Sequence, residues 1–101
     1  MLDEHEHRAL REFLRALREE QLEPMPRAEE GSIYRGPEGQ IIVPVVLKAN
    51  EPSLSLALFM AHKAEHVYKQ TGCRFLICQR LENDKNHQHY VWTNDAWQTL
   101  H

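Results

Sequence analysis

Nothing in this sequence approaches the roughly 20 consecutive apolar residues that a membrane helix requires. The densest apolar stretch, Leu54 to Ala61, is interrupted by Ser55 and ends against His62 and Lys63. The opening Met1-Leu2-Asp3-Glu4-His5-Glu6 has no basic region followed by an apolar run, so no secretory leader is expected. Cysteine is scarce too. Cys73 and Cys78 are five apart in what reads as one strand, and an odd separation sends side chains to opposite faces, out of reach of a disulfide. Two free thiols, no leader and no membrane span lead to the expectation of a cytoplasmic protein.

The common catalytic and phosphate-binding signatures are missing as well. There is no G-x-S-x-G elbow, no G-x-x-x-x-G-K loop and no G-x-G-x-x-G run. Gly36-Pro37-Glu38-Gly39 is too poor in glycine to cradle a phosphate, and its proline removes an amide donor. A clustered basic surface is also lacking: residues 1–31 hold nine acidic and five basic side chains, the remainder six and seven. With a formal net charge of −3, nucleic-acid binding is not expected, and a nucleic-acid-associated regulator ranks last among the functional readings.

What is present fits one globular domain over 1–101, since 101 residues with 42% apolar and 27% charged side chains can build one core and not two. Leu10, Phe13, Leu14 and Leu17 recur at helical spacing, extended by Leu2 and Ala9, which predicts an amphipathic helix over 1–22. Its polar positions mix Arg and Glu in i,i+4 pairs, a solvated face. Glu23-Pro24-Met25-Pro26 ends that helix and opens a linker over 23–32.

The remainder, 33–101, carries the rest of the fold. Ile33-Tyr34-Arg35 and Gln40-Ile41-Ile42-Val43 flank a Gly-Pro-Glu-Gly loop and predict a hairpin. Its second strand runs on through Pro44 to Leu47, and a proline without an amide belongs at a bulge or facing a sheet edge. A helix follows, with Asn50 or Ser53 as cap and Gly72 as stop. Arg74 to Gln79 and His89 to Trp92 predict a second hairpin, and Thr93 or Asn94 could cap a last short helix, Asp95 to Leu100. The expected class is α+β in the order α-β-β-α-β-β-α, a mostly antiparallel sheet with helices packed on one face.

His62-Lys63-Ala64-Glu65-His66 resembles the H-x-x-E-H order of a class of zinc peptidases, in which two histidines one helical turn apart hold zinc and the glutamate is the base. The resemblance covers five residues. It implies a small metal-binding protein or a zinc-dependent hydrolase, with His87 or His89 supplying a third ligand beside His62 and His66. On a helical wheel, however, Ala57, Met60, Ala61, Ala64, Val67 and Tyr68 form one face, and the two histidines lie nearly opposite it. A metal in the core is therefore not expected. The preferred reading is a module for protein interaction or regulation, a homodimer without catalysis or cofactor, whose interface comprises Leu58, Phe59, His62, His66 and Trp97.

Overall fold

The computed structural model describes residues 2–21, 25–85 and 88–100. The chain runs through α1 (Glu4–Glu19), β1 (Arg27–Ala28), a 3₁₀ turn (Glu30–Ser32), β2 (Tyr34–Arg35), β3 (Ile41–Leu47), α2 (Leu54–Thr71), β4 (Phe75–Leu81), β5 (His89–Thr93) and β6 (Ala96–Leu100). The class is α+β, with a mixed sheet of six strands and both helices on one of its faces. Leu22, Glu23 and Pro24, where the first helix was expected to stop, lie outside the described residues.

Local chemistry sets the helix ends. Asp3 and Glu6 form a reciprocal capping box at α1, and the buried stripe is the expected one: Ala9, Leu10, Phe13, Leu14 and Leu17. The Ser53 hydroxyl accepts the Leu56 N–H to start α2, and Gly72, at φ 76°, ends it in the left-handed region where glycine is least strained. His5 Nε2–H donates to the Thr71 carbonyl at 2.7 Å, which joins the start of α1 to the end of α2. The two helices therefore run antiparallel.

β3 lies next to the edge of the sheet and is its most buried strand. It pairs in parallel with β4 from Ile41↔Phe75 to Leu47↔Leu81, with α2 as the crossover, while every other pairing is antiparallel. All seven of its residues are buried. Ile41, Val43, Val45 and Leu47 join the helices in the main core, where the Phe13 and Phe75 rings stack with centroids 4.8 Å apart. Ile42 faces the other way, into a smaller cluster with Cys78 and Val91. β1 and β2 share the outer side of β3 and are separated by the 3₁₀ turn, so this edge strand is broken.

Pro44 sits opposite that break. Its carbonyl accepts the Glu29 N–H at 2.8 Å. Since the nitrogen and carbonyl of one strand residue point to the same side, the missing amide faces the interrupted edge and not β4. Proline is thus placed where no ladder bond is required of it.

Two expectations need correction. The segment read as a final helix, Asp95 to Leu100, is strand β6, paired with β5 over five positions from Thr93↔Ala96 to His89↔Leu100. Asn94 and Asp95 have φ of 52° and 59°, the left-handed pair of a two-residue hairpin turn, so they do not begin a helix. The observed order therefore ends in a strand, and within the segment read as the linker 23–32 the chain forms β1 and the 3₁₀ turn.

Candidate functional site

The outer face of α2 carries most of the residues singled out from the sequence. Of the five large apolar side chains exposed among the described residues, three stand on this helix: Leu54 at 40%, Leu58 at 53% and Tyr68 at 42%. On the helical wheel they lie within about 80° of one another, with Ala61 beside them, and the exposed Glu65–Lys69 ion pair stands between Leu58 and Tyr68. His62 and His66 are exposed and border this crest on the side of α1. Phe59 is only partly exposed: it packs against the main core, takes the Lys63 ammonium over its ring at 5.5 Å, and lines the groove between the helices together with His66.

Trp97 is placed apart from these. It lies on β6 across from Trp92, with ring centroids 5.2 Å apart in an edge-on arrangement. Trp92 in turn lines a small groove with Ala57, Ala61 and Ala64 of α2. Trp97 is therefore on the helix-bearing side of the sheet, beyond α2, and continues the apolar surface rather than touching Leu58.

The residues considered for a metal are divided between two layers. His62, Glu65 and His66 are on α2, whereas His89 lines a cleft on the opposite, helix-free face. Among the described residues, no three histidine, cysteine or acidic side chains converge as metal ligands would. His87 lies outside the described residues.

The helix-free cleft was not anticipated. It encloses about 450 Å³ between Glu29, Ser32 and Tyr34 on one wall and His89 and Leu100 on the other, over a floor of Pro44 and Cys78, with Arg80 at one end. Arg80 Nε–H donates to Glu29 Oε1 at 3.2 Å, and both side chains are mostly covered, at 20% and 29% exposure. Burial pushes the Cys78 thiol up to about 11, and the negative charge of Glu29 adds to the shift. At neutral pH this sulfur is a protonated thiol and a poor nucleophile.

One signal in the sequence pointed toward it. Leu76 and Cys78 alternate along the predicted strand Arg74 to Gln79, and Arg80, one residue past its expected end, continues that face once the strand runs on to Leu81. The Glu29–Arg80 pair, 51 residues apart, left no such trace.

Comparison with protein-family models, with curated proteins and with solved structures finds no match. Among the described residues, no helix is long and apolar enough to cross a membrane.

Proposed function

We propose that this chain is a small cytoplasmic module for protein interaction or regulation, which works as a homodimer, needs neither metal nor cofactor, and uses the outer face of α2 as its contact surface. The observation that carries this reading is the exposed strip of Leu54, Leu58 and Tyr68. Apolar side chains gathered in one patch mark a contact surface more often than single exposed ones do. A two-fold contact presents the same strip from both copies, so the patch is its own complement. His62 and His66 lie at its margin, and Trp97 extends the apolar surface across β6. The free thiols of Cys73 and Cys78 suit a reducing compartment.

Magnitudes make this association modest. Full burial of a leucine contributes about 1.5–3 kcal/mol, and these two are already half covered, so four leucines across a dimer supply only about 3–6 kcal/mol. Association costs about 4–15 kcal/mol in lost freedom, so the leucines alone do not carry it, and with Tyr68 and Trp97 added the dimer is a weak one, of about millimolar strength.

The test is solution mass by sedimentation from micromolar to millimolar protein, for the parent and for Leu58→Asp. Leu58 is exposed, so the aspartate leaves the core intact, which a change at Phe59 would not. The parent should move to twice the monomer mass while the variant stays a monomer. A parent that remains monomeric throughout, or a variant that dimerises equally well, overturns the reading.

A further inference from the structure

We infer that the helix-free face of the sheet is a second site, independent of the α2 strip, which takes a small carboxylate carried on an apolar body, with Arg80 as its anion handle. The strand register places two arginines and a histidine across this face. Arg27 is opposite Val46, Val46 opposite Arg80, and Arg80 opposite His89. Neighbouring strands are about 4.8 Å apart, so the three basic residues lie within a band about 15 Å wide, over the apolar surface of Val46.

Acidic compensation along this row is incomplete. Among the described residues Glu29 is the one acid lining the cleft, and the neighbouring Glu30 is held 3.7 Å from Arg18. Arg27 has no ion pair among the described residues. Within the cleft Arg80 and Glu29 meet one to one, while Arg27 borders a separate groove with Leu14, Leu17 and Ala28. Glu29 engages Arg80 through Nε, while the terminal nitrogens of a guanidinium are the ones best shaped to hold a second carboxylate.

The remainder of the cleft selects for an apolar body. Pro44, Cys78 and Leu100 offer no charge, and the size falls within the range of small-molecule pockets. The Glu29 wall is preformed, because its N–H is fixed to the Pro44 carbonyl and the break in the edge strand holds the 3₁₀ turn beside the sheet. A phosphate dianion would meet Glu29 with about twice the repulsion of a carboxylate, which favours the single charge.

The experiment is a titration of ¹⁵N-labelled full chain with 2-naphthoate, whose ring currents locate it, beside 2-naphthol and acetate. It follows the Arg80 Nε–H signal and the backbone amides of Ser32, Cys78 and His89. Naphthoate should give saturable shifts at all of these, with naphthol and acetate at least about tenfold weaker, since a charge-assisted bond and the apolar floor are both needed. Arg80→Met should weaken naphthoate by about tenfold or more. Glu29→Gln removes the internal competitor and should tighten it several-fold, a gain that damage to the fold cannot mimic. Shifts confined to Leu54, Leu58 and Tyr68, naphthol binding as well as naphthoate, or Glu29→Gln weakening the complex would each overturn the inference.

Discussion

Gln79 holds both backbone groups of Ser53: its Oε1 accepts the Ser53 N–H at 2.7 Å, and its Nε2 donates to the Ser53 carbonyl at 2.9 Å. Gln79 is 1% exposed and the one buried polar side chain among the described residues, and its two bonds tie the start of α2 to the central strand pair. Replacement by leucine keeps the volume and leaves both Ser53 groups without a partner, at about 1–3 kcal/mol each. Gln79→Leu should lower the thermal midpoint by well over 10 °C, given about 4–8 °C per kcal/mol for a domain of this size. A midpoint within a few degrees of the parent, measured by circular dichroism, would show that water replaces the amide at no loss.

The β5–β6 turn makes the two sides of β6 unequal. A two-residue turn bonds the Thr93 carbonyl to the Ala96 N–H, so Ala96, Gln98 and Leu100 direct their main-chain groups to β5, and Trp97 and Thr99 direct theirs outward. β6 is the last strand of the sheet. Thr99→Pro therefore removes an amide the ladder does not use and should cost about 1 kcal/mol or less, whereas Gln98→Pro breaks the ladder and should cost about 3 kcal/mol. Urea unfolding of the two variants checks this, and equal losses would mean that the register is shifted by one residue.

Cys78 gives the fold a dependence on alkaline pH. Its folded thiol titrates at about 11, above the roughly 8.5 of an unfolded cysteine, so the fold favours the protonated form. That contribution is complete below about pH 8.5 and is lost as pH rises through the folded value. The stability gap between the parent and Cys78→Ala should accordingly narrow from pH 8 to 11. A disulfide reagent at pH 8 should label the half-exposed Cys73 first, with Cys78 reacting only as the chain opens.

At acid pH the sensitive pair is Glu6 and Arg35. The Arg35 guanidinium bonds both oxygens of Glu6 and, with the Asp3 N–H, holds its carboxyl below the ordinary value of 4.5. A depressed carboxylate contributes stability above its unfolded value, and that contribution disappears as pH falls through the folded one. Arg35→Gln should therefore unfold more easily than the parent at neutral pH, and the two should converge as pH drops below 4.5. A constant difference between them from pH 7 to 2 would show that the arginine acts through packing alone.

The elements legible in the sequence were those with a local signature. The apolar stripe of α1, the Ser53 and Gly72 caps and the Gly-Pro-Glu-Gly hairpin loop each follow from residues a few positions apart. Pro44 announced an irregular edge for the same reason. The final strand was misread because Asn and Asp serve equally as helix caps and as left-handed turn residues, and the alternation of Ala96 to Leu100 is too short to decide between them. On α2 the crest of Leu54 and Leu58 was only partly foreseen, since the sheet takes Leu56, Ala57, Met60 and Val67 and leaves Ala61 and Tyr68 outside. The cleft was least legible, because Glu29, Pro44, Arg80 and His89 meet only after the parallel crossover has formed.

That crossover also determines when β3 is protected during folding. Its hairpin with β2 spans a short loop, but β4 reaches it only after α2 has brought Phe75 back to Ile41, a closure over some thirty residues that is slow relative to local pairing. Until then the β4 side of Ile41-Ile42-Val43-Pro44-Val45-Val46-Leu47 is an open apolar edge of the composition that nucleates cross-β assembly, and its mid-point proline is the one residue that such a stack cannot accommodate. The residue that shapes the broken edge in the finished fold thus also guards the nascent chain against pairing with its neighbours.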